Sequence, residues 1–188
     1  MSLPADLQDI EDQLDAADRD ARELTAGIPE GIGSWSPAPG SWSVTECLDH
    51  LAITNRAYLA AMLNPALEAR EKGRLRRRPA RPGWIGGWFV RSLEPPAKLR
   101  IKAPPSIHPR RALPLADALA SFTAEQGQVR AYLRTQGDLD LAGIPFANPF
   151  IPGIRFSLAT GLQIIATHER RHLWQAWSVR KAAEAALQ

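Results

Sequence analysis

The sequence predicts an all-α protein, a four-helix bundle with a long irregular connection between its second and third helices. Four segments repeat apolar residues at spacings of three and four, which places those side chains on one face of a helix. No segment shows the apolar–polar alternation typical of a half-buried strand. The 188 residues suffice for a sizeable core, so we expect a single domain over residues 1–188.

The first helical segment covers residues 3–28. Pro4 suits a first helical turn and Gly27 suits a helix end. Its apolar positions alternate at spacings of four and three, and they are Leu3, Leu7, Ile10, Leu14, Ala17, Ala21, Leu24 and Ile28. We therefore expect one face of this helix to pack against the other helices.

The second helical segment begins at a capping box, Ser43-Val44-Thr45-Glu46. In such a box the serine hydroxyl accepts a hydrogen bond from the glutamate amide, and the glutamate carboxylate accepts one from the serine amide. An apolar stripe follows and runs to Met62, with His50 at its edge. We expect Trp42, just before the box, to anchor the start of this helix.

The third helical segment follows Pro114 and ends near Gly137, and the fourth runs from about Ser157 to the end of the chain. A Gly/Pro-rich loop, residues 138–156, connects them. In the fourth segment two histidines occupy positions at which the apolar pattern calls for core residues.

Residues 73–113 contain seven prolines and form the predicted irregular connection. Within it, GWIGGWFV (83–90) is an apolar patch that must be covered, and its tryptophans predict a packed lid. The connection is also basic: residues 70–111 contain thirteen Lys/Arg and two acids, whereas residues 1–24 contain eight acids and two arginines. The basic residues can pair with the acidic first helix, within the monomer or across a dimer, or bind an acidic partner.

Three further classes of protein are disfavoured. No apolar run approaches the ~20 residues that span a bilayer, so we expect no membrane partner. No recognition helix, zinc finger or base-stacking motif accompanies the basic residues, so we do not expect nucleic-acid binding. The acidic N-terminus is not a signal peptide, and the single cysteine, Cys47, excludes an intrachain disulfide and fits a reducing cytoplasm.

The chain matches the zinc-protease signature H-E-x-x-H from His168 to His172. A protease would also need a third ligand, usually downstream, and Glu169 as the base. Only sixteen residues follow His172, and their one carboxylate side chain, Glu184, lies too far along the same helix. With no strand to present an edge to a substrate, we disfavour the protease interpretation.

His50 is the better third ligand. Histidines four apart stack on one helix face, so the imidazoles of His168 and His172 can bind one ion together. If the second and fourth helices are neighbours, His50 faces that pair. Three imidazoles leave a coordination position for water or substrate, as in catalytic sites. Such ligands suit zinc or nickel, and also iron or copper, and do not distinguish among them.

Two motifs resemble those of the DinB-like superfamily. PGSWSVTECLDHL (39–51) has W-S-x-x-E-x-x-x-H, and THERRHLWQ (167–175) has H-x-x-x-H-x-x-Q. KLRIKAPPSIHPRR (98–111) is also similar to segments of those proteins, and the resemblance follows the order of elements along nearly the whole chain. It implies a four-helix bundle that binds a divalent metal through the three histidines named above and often forms a homodimer.

Characterised members of that superfamily include transferases and isomerases that use a low-molecular-weight thiol, which the metal activates. The resemblance therefore implies a metal-dependent transferase or hydrolase with a small-molecule substrate and a low-molecular-weight thiol as a second cofactor. Nothing in the sequence identifies a thiol. A non-catalytic metal-binding bundle, and a binder of nucleic acid or an acidic partner through residues 70–111, remain as alternatives.

Four further residues are candidates for the site. Glu169 follows a ligand and is the candidate catalytic base, although a carboxylate there also suits a hydrogen bond to an imidazole or an interhelical salt bridge. Gln175 lies three residues after the second histidine of the pair. Asn55 and Tyr58 lie on the apolar stripe of the second helix. Gln175, Asn55 and Tyr58 are the candidate polar residues of the pocket.

Overall fold

The computed structural model describes residues 3–96 and 103–187. Within these residues lie six α-helices, one 3₁₀ turn and two short strands. In chain order they are α1 (Ala5–Thr25), α2 (Glu30–Ser34), α3 (Val44–Glu71), α4 (Trp84–Leu93), the 3₁₀ turn (Pro105–Ile107), α5 (Leu115–Gln136), β1 (Pro145–Ala147), β2 (Arg155–Ser157) and α6 (Leu158–Ala186).

The four long helices α1, α3, α5 and α6 are those predicted from the sequence, and they form the bundle. α3 packs against α5 and α6, and α1 packs against the same two helices. The capping box at the start of α3 is formed: the Glu46 amide donates to Ser43 Oγ at 3.1 Å, and the Ser43 amide donates to Glu46 Oε2 at 2.9 Å. The predicted all-α fold is confirmed.

Two apolar clusters fill the bundle, and a polar layer lies between them. One cluster includes Leu14, Tyr58, Val129 and Ile165, and the other includes Ala17, Leu51, Phe122 and Leu173. On three of the helices, a buried polar side chain separates the residues of one cluster from those of the other. These side chains are Asn55 on α3, Gln126 on α5 and Glu169 on α6. We call these three residues the polar layer.

The connection between α3 and α5 is less irregular than predicted, because it contains α4. Phe89 packs on Phe156 with ring centroids 5.2 Å apart, and Leu93 is buried. The expectation that its tryptophans would be covered is wrong: Trp84 is 85% exposed and Trp88 is 61% exposed. One face of α4 packs on the bundle and the other faces solvent. Part of the motif noted over 98–111, residues 98–102, lies outside the described residues.

Several basic side chains of the connection pair within the monomer. Arg76 forms an ion pair with Asp6 of α1, as one of the two predicted pairings requires. Arg110 binds Asp49 of α3, a fully buried carboxylate, through both its guanidinium and its backbone amide. These contacts fix both ends of the connection to the bundle.

A two-stranded antiparallel hairpin, β1 and β2, precedes α6 and was not predicted. Each strand has three residues, which is too short to show an alternating pattern. Asn148 in its loop accepts hydrogen bonds from two backbone amides and donates to the hydroxyl of Tyr58 at 3.1 Å. Among the described helices, none is long and apolar enough to cross a bilayer.

Candidate metal centre

Three imidazoles meet between α3 and α6. The ligand nitrogens of His50, His168 and His172 all lie within 4.8 Å of one another, although His50 is more than a hundred residues from the other two. His50 Nε2 and His168 Nε2 are 3.3 Å apart. The structure thus brings together the three residues predicted as ligands, in a cluster that can hold a metal ion.

Close packing of α3 on α6 makes this meeting possible. His168 and His172 are one turn apart on α6 and face the same way. Two turns earlier on α6, Gly161 packs against α3, where an added Cβ would lie only 2.5 Å from Met62 Sδ. A residue without a side chain at this position lets the two helices approach closely enough for His50 to reach the pair.

The outer nitrogen of each ring faces a protein oxygen. His50 Nδ1 lies 2.8 Å from the Ile107 carbonyl, and His172 Nδ1 lies 3.1 Å from Gln175 Oε1. His168 Nδ1 makes a longer contact, 3.5 Å, with the Thr54 hydroxyl. A carbonyl oxygen only accepts, so Nδ1 of His50 carries the proton and donates it.

A neutral imidazole protonated at Nδ1 has its lone pair on Nε2. His50 Nε2 therefore presents a lone pair to the cluster, and the same tautomer at His172 follows from its Gln175 partner. In metal sites, such outer hydrogen bonds fix the tautomer and the orientation of ligating histidines.

Burial keeps all three imidazoles neutral at physiological pH. It lowers the pKa of His50 to about 4 and that of His172 to about 3. The pKa of His168 is also well below its ordinary value, because of burial and then of the two neighbouring rings and Arg171. Neutral imidazole is the form that binds metal, so the cluster is ready for a cation without first losing protons.

The spacing and the lone pairs both fit a divalent ion. Two nitrogens bound tetrahedrally at ~2.0–2.1 Å from zinc stand about 3.3 Å apart, and His50 Nε2 and His168 Nε2 are 3.3 Å apart. Without a cation, a neutral His168 can carry its proton on Nε2 and donate it to the lone pair of His50 Nε2. With His168 in the other tautomer, both Nε2 lone pairs are free to bind one ion.

Two residues near the cluster were missed as site residues by sequence reasoning. Trp42 lies against the ligands, with its ring centroid 4.4 Å from that of His50 and 5.5 Å from that of His172. It was expected to anchor the helix start, and its place in the W-S-x-x-E-x-x-x-H motif that ends at His50 was the available signal. Ile107 acts through its backbone carbonyl, so its residue type carries no signal.

Glu169, the candidate base, belongs to the polar layer. Its two carboxylate oxygens accept hydrogen bonds from Asn55 Nδ2 at 2.7 Å and Gln126 Nε2 at 2.8 Å. It is fully buried, which raises its pKa to about 8 even though both hydrogen bonds act in the opposite direction. Among the described residues, the cluster that can hold an ion contains three imidazoles and no carboxylate.

The other candidate pocket residues lie at different depths. Asn55 contacts Glu169, one layer away from the imidazoles, and Tyr58 packs against Phe146 and Phe150 in an apolar cluster. Of the three, the structure places only Gln175 in contact with a ligand. The Cys47 thiol is buried in an apolar cluster, and burial raises its pKa.

The structure also argues against a zinc-protease site at this cluster. Glu184, the one downstream carboxylate, pairs with Arg180 on the same helix. The described strands are the three-residue pair β1 and β2, which pair with each other. The third imidazole comes instead from α3, upstream of the pair. The fold and site define an all-α bundle with a three-histidine cluster suited to a divalent cation.

Comparison with known families identifies the wider group. The model of the DinB superfamily matches residues 13–176, so the chain belongs to the DinB superfamily. No curated protein matches the chain, and no solved structure does.

Proposed function

We propose that this protein is a divalent-metal-dependent enzyme, a transferase or hydrolase that acts on a small molecule. One observation carries the proposal: three neutral imidazoles turn their nitrogens toward a common point, and outer hydrogen bonds hold at least two of the rings in the ligating tautomer. Membership in the DinB superfamily supports it. The ligand set favours zinc or nickel, with iron or copper next.

The three imidazoles would hold the ion, and a metal bound there lowers the pKa of a coordinated water or thiol. His50 and His172 are almost fully buried, whereas His168 is partly exposed, so we expect solvent and substrate to approach the cluster beside His168. Trp42 covers the opposite part of the cluster by contacting the rings of His50 and His172. Three ligands from two helices leave a coordination position for the reacting group.

A catalytic role for Glu169 would be that of an acid, not that of the predicted base. With its oxygens bound to Asn55 and Gln126 and its pKa raised to about 8, it holds a proton at neutral pH. A role in catalysis would therefore require it to release that proton to a group at the metal. Glu169→Gln tests this role, because the amide has the same shape and cannot take part in proton transfer.

The first experiment is elemental analysis of untagged protein, comparing wild type with His172→Ala. We expect about one divalent ion per chain in the wild type, and its loss from the variant while the helices stay folded by circular dichroism. His108→Ala is the matched control, because His108 is exposed and its hydrogen bond in the described part of the chain is to the Ala103 carbonyl. Retained metal in His172→Ala would contradict the ligand assignment.

The second experiment is a screen for transfer of low-molecular-weight thiols to small electrophiles, and for hydrolysis of small esters and amides. Each reaction is run on the metal-loaded protein with and without a chelator. Turnover that needs the ion and disappears in His172→Ala supports the enzyme proposal. Stoichiometric metal with no turnover in any reaction would favour a non-catalytic metal-binding bundle.

We also propose that the protein is a cytoplasmic homodimer. The lone buried thiol of Cys47 suits a reducing compartment. On α3, Leu63 and Leu67 are 46% and 45% exposed and lie one turn apart, an apolar stripe that a second copy can cover. Light scattering should give twice the mass of one chain for the wild type. The double variant Leu63→Glu/Leu67→Glu should give the mass of a single chain.

A further inference from the structure

The outer face of α4 exposes large apolar side chains. Trp84 is 85% exposed, Ile85 is 67% exposed and Trp88 is 61% exposed. Trp84 and Trp88 are one turn apart and point the same way, with Ile85 beside them. Contiguous exposed apolar side chains indicate an interaction site, whereas apolar residues scattered singly over a surface are ordinary.

α4 is fixed to the bundle by its opposite face, so these side chains cannot turn inward. Gly86 is buried against α6, where an added Cβ would lie 2.6 Å from Thr160 Oγ1. Phe89 packs on Phe156, and the residue after the helix, Glu94, forms an ion pair with Arg170 of α6. Two tryptophans are therefore held in solvent by a rigid support.

One arginine of α4, Arg91, borders this face, and Arg77 and Arg81 stand in the segment that leads into the helix. Arg77, Arg81 and Arg91 are exposed, and none forms an ion pair with a residue in the described part of the chain. The Arg91 guanidinium lies back over Gly87, 3.5 Å from where a Cβ would stand, and so borders the tryptophans. The neighbouring Arg76 and Arg78, in contrast, pair with Asp6 of α1 and with Asp140 of the loop after α5.

We propose that this face of α4 docks on the surface of an anionic phospholipid bilayer. The docking face consists of Trp84, Ile85, Trp88 and Arg91, and we expect Arg77 and Arg81, which precede α4 in the chain, to reach the same bilayer surface. Tryptophan prefers the headgroup region, where its ring is buried and its N–H stays hydrated, and arginines beside it bind anionic headgroups. The expectation of no membrane partner rested on the length needed to span a bilayer, which surface attachment does not require.

Two other occupants fit the face less well. A second copy docked by the same face would bring Arg91 and its basic neighbours toward their own counterparts, and none of the four side chains of the docking face is a carboxylate that would offset the repulsion. Single-stranded nucleic acid binds in positively charged grooves, whereas these side chains project from the outside of a helix. Exposed Ile85 also suits acyl chains better than it suits base stacking.

The test is co-sedimentation of the full-length protein with vesicles of phosphatidylcholine, alone or mixed with phosphatidylglycerol. We expect binding to the mixed vesicles, weakened by salt, with a blue shift of tryptophan fluorescence. Arg77→Gln/Arg81→Gln/Arg91→Gln should weaken it about a hundredfold, because each cation near an anionic surface contributes about a fivefold factor. Trp84→Ser/Trp88→Ser should weaken it roughly tenfold or more and remove the blue shift.

Matched controls come from elsewhere on the surface. Trp174→Ser removes a tryptophan that is 45% exposed and about 21 Å along α6 from Thr160, where α4 packs. Arg19→Gln/Arg22→Gln/Lys181→Gln removes the same charge from exposed positions outside the connection. Both should bind the vesicles like the wild type, and circular dichroism should show all four variants folded.

Several results would overturn the proposal. Absence of binding to mixed vesicles at low salt would do so directly. Equal losses in the docking-face and control variants would show that net charge alone drives binding. A dimer that dissociates when Trp84 and Trp88 are replaced would assign the face to a second copy, and an oligonucleotide that binds through the same arginines would assign it to nucleic acid.

Discussion

Glu169→Gln tests whether the polar layer is neutral in the folded protein. Glu169 is fully buried, and its oxygens bind the amide groups of Asn55 and Gln126. Both neighbours also have a buried oxygen without a hydrogen-bond partner, Asn55 Oδ1 and Gln126 Oε1. Rotating either amide by half a turn offers that oxygen as an acceptor, so the layer can accommodate a protonated Glu169 or a glutamine equally well.

The magnitude follows from the pKa of Glu169, which burial raises from 4.5 to about 8. Between these pH values the folded protein holds a proton that the unfolded chain releases. The stability contributed by Glu169 is therefore fully present below pH 4.5 and is lost as the pH rises through 8. At pH 7 the loss is about 3 kcal/mol, from about 1.4 kcal/mol for each pH unit above 4.5.

The assay is urea unfolding of metal-free wild type and Glu169→Gln from pH 4.5 to pH 8. The histidines also titrate in this range, and their effect largely cancels when the two free energies of unfolding are subtracted. We expect the variant to gain about 3 kcal/mol relative to the wild type between pH 4.5 and pH 7. A difference that stays flat with pH would show that Glu169 is ionised in the folded protein, and the neutral polar layer would be refuted.

Three further substitutions test contacts around the site. Gln175→Ala should weaken metal binding roughly 10–100-fold in calorimetric titrations, because the ring of His172 loses its outer hydrogen bond. Arg110→Gln should lower the free energy of unfolding in urea by about 2 kcal/mol, because the buried carboxylate of Asp49 loses its cation. Ser43→Ala should lower the same free energy by about 1 kcal/mol, because α3 loses its N-cap.

Each of these predictions has its own contrary result. Unchanged metal affinity in Gln175→Ala would mean that the amide does not orient the imidazole. Arg111→Gln is the control for Arg110→Gln, since Arg111 is exposed and, in the described part of the chain, Asp49 is bound by Arg110. Equal losses would remove the buried ion pair as the cause. An unaltered midpoint for Ser43→Ala would show that the capping box adds nothing to stability.

Local patterns in the sequence were sufficient to predict the four long helices and the pairing of two of the three ligands. The spacing of apolar residues gave the buried faces of α1, α3, α5 and α6, because that spacing is a property of one helix. The capping box gave the start of α3 for the same reason. His168 and His172 could be placed side by side because residues four apart on any helix share a face.

Only the tertiary structure decided what those faces meet. His50 points at His168 and His172 because of the way α3 is rotated against α6. That rotation is set jointly by many contacts between residues that are distant in sequence. The Ile107 carbonyl and the polar layer depend on the same packing and leave no local pattern. The apolar run of α4 predicted a covered lid, and only the packing shows which face of the helix stays exposed. The sequence of a short helix does not specify how many neighbours will cover it.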